Sequence, residues 1–144
     1  MIYPRIKDKV SVPKETPDKT LFVSVDNTYG KRLVDPQTKK LVSLEDCARG
    51  YWTEKNLIGA HGYDCDWLVA RLHGVIVGVW KIDRQKGWMD PSVTPKKTWP
   101  SDKPKDRPRS GCELVAADID IWNKLVGQKV HLGRCHNSLR GIFL

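Results

Sequence analysis

Residues 67–83 decide the fold, and they read Trp-Leu-Val-Ala-Arg-Leu-His-Gly-Val-Ile-Val-Gly-Val-Trp-Lys-Ile-Asp. Two runs rich in β-forming residues flank His73-Gly74, and the glycine accepts the positive φ that a tight reversal requires. The second run places Val75, Val77 and Val79 on one face and Ile76, Gly78 and Trp80 on the other. Because both faces are apolar, the pattern predicts a strand buried on both sides, at the centre of a small β-barrel or sandwich.

Size and composition limit the class of protein. The chain has 144 residues, which suits one domain, and 40% of them are hydrophobic, which is enough for a core. No apolar run of about 18 residues predicts a membrane span, and the N-terminus lacks an apolar signal-peptide core. We therefore expect a cytoplasmic protein without membrane partners. The cysteines have no short repeated spacing, so we expect reduced thiols that pack as small hydrophobes: Cys47, Cys65, Cys112 and Cys135.

Positive charge is concentrated in one segment. The formal net charge is +8, and residues 84–110 contribute eight Lys or Arg against three Asp, which is five of those eight charges. Five prolines in the same segment exclude a long helix and most regular strand. Irregular loops of this length tend to be functional, and a basic balance favours polyanionic partners. The other 117 residues are only mildly basic on average.

The rest of the chain divides into an arm and one domain. Residues 1–19 contain three prolines among charges and predict an extended N-terminal arm, and residues 20–144 predict a single domain. Leu21–Val25 alternates as a strand, and Leu33–Leu41 has the pattern of a short hairpin.

Two short helices are expected. Ser43 can cap a helix whose first turn holds Glu45 and Asp46, and Gly50 would weaken that helix from within. Residues 118–127 predict a second helix that ends at a glycine.

Four segments, in this order, carry a resemblance to a known family: Ala48–Trp52, Leu68–Ile82, Leu125–Val130 and Asn137. Over roughly residues 43–144 the chain resembles PUA-like domains of the EVE/ASCH type from uncharacterised bacterial and phage proteins. The resemblance implies an α+β fold, a compact PUA-like β-barrel with short helices over its ends. It also implies a pocket for a single modified or extruded base. The long Pro-rich basic loop at 84–110 departs from the shorter connection expected there.

Aromatic and basic residues in the loop are candidates for nucleic-acid contact. Trp88 and Trp99 lie among Lys, Pro and Asp, close to Lys96 and Lys97. An aromatic ring flanked by cations suits base stacking with phosphate contact. The alternative is that the two indoles fold back as lids on the end of the barrel, and the sequence leaves both open.

Two further groups are candidates for the pocket rim. Tyr51 and Trp52 point about 100° apart on a helix, so only one can be central to the core, and the other could border a pocket with Arg49. A structural cap is the alternative. The tail concentrates hydrogen-bond donors that can contact base edges and phosphates, namely Arg134, His136, Asn137 and Arg140. Arg109 could face the same region. The alternative for the tail is a solvated turn.

Catalysis and metal binding have weak signals. The only close Cys/His pair is Cys135-His136, whose side chains would point apart on a strand, so no metal site is predicted. Asp118 and Asp120 suit a helix N-terminus, and Glu113 lacks the following Lys that a nuclease motif would need. We predict no catalytic residue and no cofactor.

The sequence therefore favours a non-catalytic nucleic-acid-binding module, with DNA or RNA as partner, that reads a modified or extruded base. The alternative is a protein-interaction module whose Pro-rich arm and loop bind a partner protein. A metal-dependent nuclease is a distant third.

Overall fold

A computed structural model describes residues 10–35, 38–50, 52–88, 109–133 and 139–144, without the side chain of Arg109. The strands are β1 (Val10–Ser11), β2 (Thr20–Ser24), β3 (Trp52–Thr53), β4 (Trp67–Leu72), β5 (Val75–Ile82), β6 (Arg109–Ser110), β7 (Leu114–Ala116), β8 (His131–Leu132) and β9 (Leu139–Ile142). The helices are α1 (Leu44–Arg49), α2 (Glu54–Gly59) and α3 (Ile119–Leu125). Short 3₁₀ turns lie at Tyr29–Lys31 and Gly62–Asp64. No helix in these ranges is long and apolar enough to cross a membrane.

The predicted hairpin forms the centre of the main sheet. β4 and β5 pair antiparallel through a two-residue turn, in which His73 and Gly74 have φ of 49° and 78°. Positive φ at both central positions is the type I′ geometry that matches strand twist. The five strands follow the order β7-β5-β4-β2-β9, so β5 is an interior strand, as predicted.

A bulge corrects the predicted faces of β5. The register shifts between Ala70, which pairs with Gly78, and Arg71, which pairs with Ile76, so Val77 is the additional residue. A bulge interrupts the two-residue alternation of side chains. Val77 consequently packs on the same side as Trp80, and Val79 packs with Ile76 on the other.

Two apolar clusters bury the sheet on both faces. The first-face core lies against α1 and α2 and includes Leu21, Val23, Leu68, Ala70 and Trp80. The second-face core lies against α3 and the β1–β8 pair and includes Phe22, Val69, Ile76, Val79 and Leu125. Burial of the central strands on both sides is thus confirmed.

The α+β class is confirmed, but the expectation of a closed barrel is wrong. β2 and β4 are parallel, so α1, β3 and α2 form the crossover between them. β7 and β9 occupy opposite edges of an open sheet, and the small β1–β8 and β3–β6 sheets do not join those edges within the described ranges. The same ranges hold three α-helices, where two were expected.

Local capping places the helices. The Ser43 hydroxyl accepts a hydrogen bond from Asp46 N at 3.1 Å, so the predicted N-cap is confirmed. Gly50 follows α1 instead of lying inside it, and a Cβ there would meet the Asp46 carbonyl oxygen at 2.6 Å. Gly127, with φ of 94°, follows α3 as predicted.

The described half of the predicted arm packs on the domain. Val10–Ser11 pairs with His131–Leu132, and Thr16 is buried. Residues 1–9 lie outside the described ranges.

Candidate nucleic-acid interface

The two ends of the basic segment meet beside the first-face core. Trp88 forms an isolated antiparallel bridge with Cys112, and β6, which begins at Arg109, pairs with β3. Trp88 and Arg109, the described residues on either side of the gap, are therefore both held in one small area of the domain. Lys96, Lys97 and Trp99 lie between these points, outside the described residues.

Trp88 packs as a lid. Its half-buried ring lies against the first-face core and meets the Tyr63 ring edge-on, with centroids 5.7 Å apart. Its Nε1 is buried and has no hydrogen-bond acceptor in the described structure. Of the two alternatives left open by the sequence, the geometry at Trp88 is that of a lid.

Arg49 is held by two carboxylates. Its Nε donates to Asp46 Oδ1 at 2.8 Å, and Nη1 donates to Glu113 Oε1 at 3.3 Å. The side chain is 27% exposed. These contacts connect α1 to the residues just before β7. They also neutralise the positive charge of the Arg49 guanidinium, which is the charge that would attract a phosphate.

Trp52 has a structural contact of the same kind. The indole Nε1 donates to the Ala48 carbonyl oxygen at 3.0 Å, and the ring packs on the first-face core. One of the carbonyls left over at the C-terminal end of α1 is thereby satisfied. This is the arrangement of a structural cap, and Tyr51 lies outside the described residues.

Arg140 lies across the sheet from Arg49. It pairs with Phe22 in the β2–β9 register, and directly opposed residues share a face, so Arg140 is on the second face. α1 carries Arg49 on the first face. The structure therefore brings Arg49, Trp52, Trp88 and the Arg109 backbone together, but not Arg140. The rest of the tail group, Arg134, His136 and Asn137, lies outside the described residues.

The three buried thiols have raised pKa values, which disfavour the reactive thiolate. Burial raises the pKa of Cys65 and of Cys112 to about 12, and burial also raises the pKa of Cys47. All three are free cysteines, as predicted, while Cys135 lies outside the described residues. Among the side chains that can be placed, no three His, Cys, Asp or Glu cluster as metal ligands. Glu113 pairs with Arg49, and Asp118 is the N-cap residue of α3, without a side-chain cap bond.

Sequence reasoning missed a second basic surface, which we call the basic hairpin (residues 29–35 and 38–41). Residues 31–40 hold four cations against one Asp, a net +3 in ten residues: Lys31, Arg32, Lys39 and Lys40. All four are exposed. Averaging the charge over the 117 residues outside 84–110 concealed this cluster, and a ten-residue count would have found it.

We compared the chain with models of known protein families, with curated proteins and with solved structures, and none of the three comparisons found a match.

Proposed function

We propose that this protein is a non-catalytic nucleic-acid-binding module that grips the phosphate backbone through residues 84–110. The observation that supports this most is that both ends of the segment are paired with the domain, one at the Trp88–Cys112 bridge and the other at the β3–β6 pair. A segment with a net charge of +5 is thus anchored at both ends to one small area of the domain.

Release of counterions supplies the affinity in this proposal. Each phosphate neutralised by Lys or Arg releases condensed cations, so binding weakens steeply with salt. Arg84 and Lys86 are exposed at the base and extend the positive surface. Arg84 pairs with Asp66 at 3.0 Å, but its side chain is 67% exposed, so the pair is readily exchanged for a phosphate.

The proposal assigns little base selectivity to the described residues. Arg49, Trp52 and Trp88 are all engaged within the domain, and the sheet is open, so they do not form the expected rim of a barrel mouth. We therefore expect affinity to depend on phosphate contacts more than on base identity.

Fluorescence anisotropy with labelled oligonucleotides of about 20 nucleotides, single- and double-stranded, tests the proposal over about 50–200 mM salt. Labelled polyglutamate of similar length is the control for general attraction to polyanions. The proposal predicts oligonucleotide affinity that falls steeply with salt and varies little with sequence. Absence of binding at the lowest salt, or equal binding to polyglutamate, would contradict it.

A protein-interaction module is the second candidate, and one apolar patch favours it. Ile58, Phe143 and Leu144 are exposed. His61 links them, because its ring meets the Phe143 ring edge-on at 6.0 Å and its backbone N donates to the Ile58 carbonyl oxygen at 3.1 Å. Exposed apolar side chains that adjoin one another are typical of protein contacts. A partner that co-purifies after nuclease treatment, and is lost in Phe143→Ser, would favour this candidate.

A further inference from the structure

We propose that the basic hairpin is a second, separate nucleic-acid contact, which holds single-stranded phosphates with its four cations and stacks a base on Tyr29. This inference rests on the proposed function and adds a site to it.

Backbone pairing holds the cations on two adjacent arms. Val34 bridges to Leu41, Asp35 N donates to Lys40 O at 2.9 Å, and Val42 N donates to Leu33 O at 2.9 Å. Lys31 and Arg32 lie at the start of one arm, and Lys39 and Lys40 on the other. The pairing therefore keeps four positive charges within one small surface.

Two of these cations occupy backbone positions that normally favour other residues. Arg32 has φ of 54° and Lys39 has φ of 62°, a left-handed conformation that glycine and asparagine adopt most readily. A pure turn function would be served better by either of those residues. Lys19, outside the basic hairpin, has a similar φ of 57°, so the case for a binding site rests on the clustering and exposure of the four cations.

The charges are available to a ligand. Within the described ranges, Arg49 and Arg84 form ion pairs with carboxylates, but no cation of the basic hairpin does. Tyr29, which begins the 3₁₀ turn that ends at Lys31, is 41% exposed. An exposed ring that adjoins such cations along the chain is the combination that single-strand-binding proteins use for stacking and phosphate contact.

The basic hairpin and the described ends of the basic segment lie at opposite ends of the sheet. β2 and β4 are parallel and end together, and a Cβ on Gly30 would lie 3.8 Å from His73 Nε2, so the hairpin begins beside the β4–β5 turn. The basic segment follows the far end of β5. Eight residues of strand span about 25 Å. An unstacked single strand is more extended than a duplex strand, whose phosphates are about 3.4 Å apart along the axis. A strand of about 20 nucleotides can therefore contact both surfaces, but a dinucleotide cannot.

The test removes hairpin charge without disturbing the turn. In Arg32→Asn/Lys39→Asn, asparagine suits the left-handed backbone, so folding is preserved. Lys55→Gln/Lys124→Gln, on α2 and α3, removes the same charge elsewhere. For a single-stranded 20-mer, we expect the salt slope of the hairpin variant to fall by about 1.4, at about 0.7 per cation, and the control to keep it. Tyr29→Leu should weaken binding about tenfold, while Tyr29→Phe should not.

The outcomes separate this inference from the proposed function. If both hairpin variants bind like wild type while loss of charge in residues 84–110 abolishes binding, the inference is overturned and the proposed function stands. If only the hairpin variants lose affinity, the second contact stands and the assignment of affinity to 84–110 fails. A dinucleotide that binds as tightly as the 20-mer would overturn the two-surface arrangement.

Discussion

Replacing Arg49 with methionine should lower stability and leave nucleic-acid affinity unchanged. The change removes the bonds to Asp46 at 2.8 Å and to Glu113 at 3.3 Å while keeping most of the aliphatic stem. Charge-assisted bonds contribute about 1.5–3 kcal/mol when buried, but Asp46 and Glu113 are 44% and 40% exposed, so screening reduces each to about 0.5–1 kcal/mol. We therefore expect a loss of about 1–2 kcal/mol in the free energy of unfolding.

Arg84→Met is the matched control, because Arg84 also forms an ion pair with an aspartate but is 67% exposed. Its loss should cost at most about 0.5 kcal/mol. Urea denaturation followed by tryptophan fluorescence measures both variants, and the Arg49→Met midpoint should fall clearly below the control. Unchanged stability together with a several-fold loss of oligonucleotide affinity would refute the reasoning and return Arg49 to the binding surface.

Two further predictions concern a pair of glycines and the buried thiols. Gly141→Ala should destabilise the protein by more than about 2 kcal/mol, because the new Cβ would fall on the Ala60 carbonyl oxygen. Gly59→Ala should stabilise α2 by about 0.5–1 kcal/mol, because nothing lies within 4 Å of the new Cβ. Thermal melts measure both variants, and a melting temperature higher for Gly141→Ala than for Gly59→Ala would contradict the prediction. Folding raises the pKa of Cys65 and Cys112 from 9.0 to about 12, so the unfolded chain binds fewer protons above pH 9. Below pH 9 these thiols should not affect the free energy of unfolding, and between pH 9 and about 12 that free energy should fall. From pH 8 to pH 10.5, the urea midpoint of Cys65→Ala/Cys112→Ala should fall less than that of the wild type. An equal fall in the two proteins would contradict the assignment.

Features that depend on neighbouring residues could be predicted from the sequence. His73-Gly74 determines its own turn, and Ser43 caps the helix that begins one residue later, since both act within a few residues. The open sheet could not be predicted in this way. The sheet is open because its edge strands, β7 and β9, do not pair with each other, and pairing between strands that are distant in the chain leaves no local pattern.

The candidate site was harder to predict, because its contacts join distant residues. Arg49 and Glu113 are 64 residues apart, so the sequence suggested a free guanidinium where the structure has a neutralised one. The bulge at Val77 likewise arises from pairing with β4 and not from the residues of β5. The basic hairpin, in contrast, was visible in the local charge count.

Charge removal within residues 84–110 tests the central claim most directly. In Lys96→Gln/Lys97→Gln/Lys103→Gln/Lys105→Gln, four cations are lost outside the described core, so folding should be unchanged by circular dichroism. If the segment grips phosphates, the slope of log affinity against log salt for a single-stranded 20-mer should fall by about 2.8, at about 0.7 per cation. A variant that keeps the wild-type slope and affinity would contradict the claim.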